Sequence, residues 1–335
     1  MDKILVVRLS SLGDVLLTTL TVRALARRFP NAQIDFLTKK AYAPLLASNP
    51  RLQNVLTLNS GSLFEIFQLR RAVSGYDLIV DLHKNLRSLL ITGAQLLPTV
   101  VRTRKWTLKR RLLTWLKLNL FKDTQSVAER YLETVRGFGV VDDGQGLEFL
   151  PSDDDTREAT AIFERHGMGK GEAVALAPGA KWYTKRWPVE KYEALIRMMP
   201  DERFIVLGDA GDAEAGERLQ AAAPERVVNL AGTTGLGVSG ALLKRCRALL
   251  THDTGLMHLA CAAHVPVVAI FGSTVRTFGF FPFRARARVL EIDLPCRPCT
   301  TLGTHRCKLG TLECLQGIAV EAAANALRKV QTGPY

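Results

Sequence analysis

The sequence predicts an α/β protein made of two doubly wound, parallel-sheet halves. Three observations predict it. Short apolar runs alternate with helix-length segments from the N-terminus onward, a turn-rich acidic stretch interrupts the alternation near the middle, and a second alternating series follows. A chain of 335 residues is long enough to bury two cores. With 47% apolar and 23% charged residues, its composition is that of a folded globular protein.

In the first half, Lys3–Val7 (KILVV) reads as a strand, Arg8–Asp14 as a polar loop and residues 15–28 as a helix. Further strands are expected at Gln33–Leu37, Asn54–Leu58 and Leu78–Asp81. The turn residues of Asp142–Gly146 and Pro151–Thr156 (PSDDDT) mark a linker. We therefore expect domains at 1–152 and 171–316, with residues 153–170 joining them. In the second half, strands are expected at Ala173–Ala177, Arg203–Leu207, Val227–Leu230, Ala248–Thr251 and Pro266–Phe271. Helices over Val189–Met199, Asp212–Ala223, Val238–Cys246 and from Thr254 onward separate them. Ligands of such sheets bind beyond the C-terminal ends of the strands, and with two halves the natural site is the cleft between them.

Lys and Arg outnumber Asp and Glu by 45 to 32, a net charge of +13, which implies an anionic partner. The excess concentrates in Arg102–Lys122, which holds Arg102, Arg104, Lys105, Lys109, Arg110, Arg111, Lys117 and Lys122 and no acid. Leu108, Leu112, Trp115 and Leu116 fall near helical spacing there. Two readings stand side by side: a basic amphipathic helix on an anionic membrane surface, or a helix packed by its Leu/Trp stripe with a solvated basic face. No apolar run reaches the roughly 18–20 residues of a membrane span. Val265–Gly272 is too short, and Ser88–Val101 is interrupted by Gly, Gln and Pro. The N-terminus enters a strand without a signal-peptide layout, so a cytosolic protein is expected.

Of the six cysteines, Cys246 and Cys261 sit in apolar surroundings and read as buried thiols. Cys296, Cys299, Cys307 and Cys314 are clustered near His305, and thiols, a disulfide or a metal site all fit them. Several functions are excluded on the residues. No G-x-G-x-x-G follows the first strand, the glycines of Gly232–Gly237 are wrongly spaced, and no P-loop exists. Asp153 and Asp155 fit a helix start better than a metal–nucleotide site. Aromatic-plus-basic sheet motifs for nucleic acid are missing.

Three strand exits carry the candidate chemistry. In HDTGLMHLACA (252–262) an apolar strand ends in small and polar residues and turns at once into a helix. Free N–H groups of Thr254, Gly255 and Leu256 would suit a phosphate, Gly255 would admit an oxygen close to the backbone, and Asp253 would cap the helix or accept from ligand hydroxyls. The loop after Ala177 offers Lys181, Lys185 and Arg186 to neutralise a diphosphate. In RLSSLGDV (8–15), Gly13 opens the turn and Asp14 stands at a helix start, where position alone favours a capping role.

Together, Lys3–Pro50, Lys185–Pro188 (KRWP) and HDTGLMHLACAAHVPVVAIFGST (252–274) resemble the ADP-heptose:lipopolysaccharide heptosyltransferases, glycosyltransferase family nine, over nearly the whole chain. The resemblance implies a GT-B fold, two Rossmann-like domains facing a central cleft, with a C-terminal helix at about 317–332 packing back on the first. It implies an inverting, metal-independent transfer of heptose from ADP-heptose to the inner core of lipopolysaccharide, with no cofactor. Asp14 becomes the general base and Lys185 the donor-phosphate contact, both catalytic. Gly13, Asp253, Thr254, Gly255, Leu256 and His258 join Lys185 in holding the donor. Ser10, Ser11, Lys84, Arg87, Arg102 and Arg104 would meet an anionic acceptor, Kdo–lipid A or an extended core. The implied setting is the cytoplasmic surface of the inner membrane, with no nucleic-acid partner.

Two departures from the family pattern qualify this. The loop Ala180–Thr184 (AKWYT) lacks the hydroxyl-rich sequence of some members, and the ribose-binding acid has three candidates, Asp209, Asp212 and Glu214. The cysteine cluster also resembles a segment of the family, with no metal implied there. A related transferase using another nucleotide sugar or a protein acceptor, and a non-catalytic binder of anionic glycolipid, are the alternatives.

Overall fold

The computed structural model describes residues 1–93 and 99–332. Gln95 and Pro98, two of the residues expected to interrupt the apolar run 88–101, lie outside the described residues. The chain divides into two compact units, residues 1–105 with 126–152 and residues 106–125 with 153–335.

Unit 1 carries five parallel strands, β1 (Lys3–Val7), β2 (Gln33–Lys39), β3 (Asn54–Leu58), β4 (Leu78–Asp81) and β5 (Thr99–Arg102), in the order β3-β2-β1-β4-β5. Both faces of such a sheet are covered, so β1 is a continuous apolar run, and Leu5, Val7, Leu37 and Ile79 lie in one core with Ile66 and Ile91. The helices are α1 (Leu12–Leu17), α2 (Thr19–Arg28), α3 (Leu63–Ala72), α4 (Leu86–Thr92) and, after a detour of the chain through unit 2, α6 (Val127–Glu133). The single helix expected over 15–28 is two. The hydroxyls of Thr18 and Thr19 donate to the carbonyls of Val15 and Leu16, at 2.6 and 2.7 Å, and compete with the helical ladder where it breaks.

Unit 2 holds six parallel strands in the order β11-β10-β9-β6-β7-β8. They are β6 (Ala173–Leu176), β7 (Arg203–Val206), β8 (Val227–Asn229), β9 (Ala248–His252), β10 (Val267–Phe271) and β11 (Ala287–Glu291). Its helices are α5 (Thr107–Leu116), α7 (Asp153–Arg165), α8 (Val189–Met198), α9 (Ala213–Ala222), α10 (Leu236–Arg245), α11 (Gly255–Ala262), α12 (Glu313–Gln316) and α13 (Val320–Thr332). Two Rossmann-like parallel-sheet domains are the architecture expected from the alternation.

Four expectations change. Residues 153–165 form a helix, not a linker: three aspartates occupy the positive N-terminal turn of α7, and Ala159, Ile162 and Phe163 recur at helical spacing on its buried face. The turn residues 142–146 are not loose either, because buried Arg23 binds Asp143 at 2.6 Å and the carbonyls of Gln145 and Gly146. The C-terminal helix α13 packs on α8 and against β9, β10 and β11 of the second unit, its Ala323, Ala324, Leu327 and Val330 filling that core, where the resemblance implied packing on the first.

Lastly, the basic stretch 102–122 is not one helix. Arg102 ends β5, α5 covers only Thr107–Leu116, and Lys117, in the left-handed region at φ 57°, closes it. The stretch from Trp106 belongs to the second unit, where Leu113 and Phe121 pack with Phe278. The guanidinium of Arg110 lies 5.0 Å from the ring centroid of Phe280. The stripe residues Leu108, Trp115 and Leu116 face solvent, so packing by that stripe is overturned. Among the described residues no helix is long and apolar enough to cross a membrane.

Candidate active site

In unit 1 the turn leaving β1 builds a carboxylate site. Ser11 is the residue before α1, and Asp14 stands in its first turn, receiving the Ser11 N–H at 3.1 Å and the Ser11 hydroxyl at 2.8 Å on Oδ2. The capping role that position favoured is therefore real. The other oxygen, Oδ1, accepts from the Tyr131 hydroxyl at 3.0 Å and pairs with Arg8 at 2.7 Å. Burial alone would raise the Asp14 pKa. The Arg8 charge opposes it, and with the donors from Ser11 and Tyr131 it holds the carboxyl below its ordinary range. Arg8 is itself fixed, donating to the Leu82 carbonyl at 2.5 Å and lying 5.3 Å from the Tyr131 ring centroid.

Cations gather at the same sheet edge. His83, after β4, is pushed down to about 4 by burial and by the charges of Arg8, Lys105 and Lys39. Lys105 is lowered by burial and by Arg8 and Lys84. Lys84, Arg87 and Arg104 are exposed, and Ser10 is half-buried beside Ser11. Arg102 is spoken for: it stands 3.8 Å from buried Asp81 and donates to Thr92 at 3.3 Å. Asp81 also receives the N–H groups of His83 and Lys84, so this aspartate shapes the β4 exit.

In unit 2 the exits of β6, β9 and β10 meet. Lys185 Nζ donates to the Asp253 carboxylate at 2.7 Å and to the Asp253 carbonyl at 3.0 Å, and the Thr274 hydroxyl donates to the same carboxylate oxygen at 2.7 Å. Asp253 thus holds Lys185 in place and does not cap α11. The run 248–262 is buried except at residues 253–256, which are half-buried, and that is why an apolar strand ends in D-T-G. One expectation is corrected here. The Thr254 N–H donates to the His252 carbonyl at 2.8 Å, so the open helix start is offered by Gly255 and Leu256. His258 is buried on α11, 6.3 Å from the Phe280 ring centroid.

His252, at the end of β9, ties that strand to the loop after β6. Its Nε2 accepts the Trp187 N–H at 2.8 Å, and its Nδ1 lies 3.3 Å from the Gly179 carbonyl. Full burial drives its pKa to about 4, so the ring is neutral. Thr274 was missed, although it ends the motif quoted at 252–274. Of the three ribose candidates, Asp212 crowds Gly179 and Gly208 so closely that a Cβ at either would collide with it. Asp209 starts the short turn at 210–212 and Glu214 lies in the first turn of α9.

The cysteine-rich loop buttresses this grip. Thr304 accepts the Thr184 N–H at 3.1 Å, and Arg297 donates to the carbonyls of Gly272 at 2.6 Å and Thr274 at 2.9 Å. All six cysteines stand unpaired, three of them buried and three half-buried. Cys296, Cys299, Cys307 and Cys314 line a cavity of about 470 Å³. Among the described residues no group of three or more His, Cys, Asp or Glu side chains is arranged to hold a metal.

Residues 66–308 match the model of glycosyltransferase family 9 (heptosyltransferase). The chain belongs to that family. A lipooligosaccharide heptosyltransferase 2 from Haemophilus influenzae is 30% identical over 292 residues, 81% of this chain and 83% of the relative. Among solved structures, a family 9 glycosyltransferase from Veillonella parvula superposes with a TM-score of 0.82 at 21% identity, covering 99% of this chain and 98% of the other. Escherichia coli ADP-heptose LPS heptosyltransferase II gives 0.73 at 23% identity, covering 98% of each. The fold is therefore GT-B, as the resemblance implied.

The chain is thus a glycosyltransferase, and the non-catalytic binder is set aside. Of the residues expected to hold the donor, Lys185, Asp253, Thr254, Gly255, Leu256 and His258 belong to one unit of the transferase. Gly13 does not: it is buried in the first turn of α1, one residue before Asp14.

Proposed function

We propose that the transferase moves a heptose from ADP-heptose to the inner core of a lipopolysaccharide precursor, in one inverting displacement that needs no metal ion. The observation that carries this reading is the Lys185–Asp253–Thr274 grip beside the open start of α11, a ready receptor for a sugar-linked diphosphate. The names of its relatives, which speak of lipooligosaccharide and of ADP-heptose, supply the substrate classes.

In this reading Lys185 Nζ and the N–H groups of Gly255 and Leu256 meet the diphosphate. As the bond from the anomeric carbon to the phosphate oxygen breaks, charge develops on the departing ADP, and these fixed donors stabilise it without a metal. The acceptor oxygen attacks that carbon from the opposite face while Asp14 takes its proton. Both Asp14 oxygens already hold donors, and Ser11, the exposed one, is the donor a sugar hydroxyl replaces. Arg8 keeps Asp14 ionised and therefore modestly basic, so the proton moves as the new C–O bond forms. Lys39, Lys84, Arg87, Arg104 and Lys105 suit the carboxylates and phosphates of Kdo–lipid A or an extended core. The solvent-facing Leu108, Trp115 and Leu116 of basic α5 favour peripheral association with the cytoplasmic face of the inner membrane.

The test is turnover with ADP-heptose and a panel of truncated core acceptors in the presence of a chelator. The expected result is release of ADP, a mass gain of one heptose, and inverted anomeric configuration by NMR. Retained configuration or loss of turnover in the chelator would remove the mechanism; turnover only with another nucleotide sugar would move the donor.

A further inference from the structure

We propose that α3 and α4 of the first unit form a docking surface for an anionic lipid bilayer. The two helices pack side by side, and each is apolar on two faces. On the inner face, Ile66 of α3 and Ile91 of α4 are buried in the core. On the outer face, Leu63, Phe64 and Phe67 are 69%, 73% and 60% exposed, and Leu86, Leu89 and Leu90 are 72%, 39% and 40% exposed. Positions 63, 64 and 67 share one side of α3, and 86, 89 and 90 share one side of α4, so six large apolar side chains lie outside the core on adjoining helices. Isolated exposed leucines are ordinary; a contiguous group of this size marks an interaction site.

The charges around the patch select the partner. Arg71, Lys84 and Arg87 are exposed at its rim. The two helices contain one acid, Glu65, and its carboxylate faces away into the preceding loop, where it accepts the N–H groups of Asn59, Ser60 and Gly61 at 2.5 to 2.9 Å. An apolar stripe rimmed by cations, with its one carboxylate engaged, complements an acyl boundary beneath anionic headgroups. Position adds a reason. α3 follows β3 and α4 follows β4, so Leu63, Phe64 and Leu86 stand in first turns at the same strand-end edge as Asp14. Docking there brings the Asp14 edge to the surface that displays a lipid-anchored acceptor; this orientation, unlike the docking, rests on the function proposed above.

The experiment is sedimentation of the full chain with vesicles of phosphatidylethanolamine and phosphatidylglycerol, and with vesicles of phosphatidylcholine alone. Two variants, Phe64→Ser with Phe67→Ser and Leu86→Ser with Leu90→Ser, change only exposed side chains. The parent binds the anionic vesicles more strongly, and each variant loses about tenfold of that binding. Their turnover on a soluble, delipidated acceptor stays at the parent level, which separates a failure of docking from a failure of the proposed reaction. Parent-level vesicle binding by both variants overturns the proposal. So does a parent that is dimeric by light scattering and becomes monomeric in the variants with vesicle binding unchanged, which would make a second copy of the chain the occupant.

Discussion

Each unit presents a cation–carboxylate pair at its strand ends, and the pairs match in size. Arg8 and Asp14 stand 2.7 Å apart with side chains 12% and 14% exposed; Lys185 and Asp253 stand 2.7 Å apart at 14% and 10%. Their surroundings differ. Arg8 is pinned by the Leu82 carbonyl and the Tyr131 ring, and Asp14 takes donors on both oxygens. That pair is built to hold a carboxylate still. Lys185 is a point charge on a flexible stem whose bonds run to Asp253 alone, so a diphosphate can take it over. Similar distance and burial therefore go with different surroundings, a carboxylate held through both oxygens in one unit and a lysine tied to a single residue in the other.

Substitutions break the comparison in order of effect. Asp14→Asn keeps the shape but cannot take a proton, and its amide nitrogen cannot accept the donors that meet one of the two carboxylate oxygens; kcat falls by about 10³-fold, while the Kd for ADP-heptose measured by calorimetry stays within about twofold of the parent. If both fell together, Asp14 would be a structural carboxylate like Asp253. Lys185→Ala lowers kcat/KM by about 10²-fold and also weakens ADP binding, since in the proposed reaction the cation meets leaving group and ground state alike. Lys185→Arg recovers only part, because a planar guanidinium does not replace a compact ammonium.

The smallest effect on turnover comes from His252→Phe, which fills the site but offers Trp187 no acceptor. It costs about 1–3 kcal/mol of stability at neutral pH and changes turnover by less than tenfold. Acid reverses the comparison. The fold holds His252 neutral down to about 4, whereas the unfolded chain takes up a proton near 6.5. The parent therefore loses stability as pH falls from about 6.5 to 4, by about 3 kcal/mol at this residue, and loses no more from it below that. His83 has the same window. Thermal melts across this range should show a shallower acid dependence in the variant; an unchanged slope would show that His252 does not carry it.

Most β-strands were legible because buried parallel strands are written as unbroken apolar runs, and β1, β3, β4 and β9 fall within a residue of expectation; the edge strands β5 and β11, only partly buried, were not expected. The D-T-G turn was legible because it interrupts such a run where full burial ends. Thr274 and His252 were in plain view within quoted motifs, but nothing local distinguishes them from residues of an ordinary strand end. Tyr131 could not have been found: it reaches Asp14 from 117 positions away. Charge density along the chain does not reveal pairing, and Arg102 has Asp81 3.8 Å away.

By itself, then, the sequence determined two parallel sheets, their open C-terminal ends and the residue types waiting there, because hydrophobic periodicity and turn chemistry are properties of neighbours along the chain. Tertiary structure alone decided which carboxylate is aimed by arginine and tyrosine, which one restrains a lysine, and which side of α5 meets solvent. Those outcomes depend on groups far apart in sequence reaching hydrogen-bond distance, and on how burial and partner charge balance once they do.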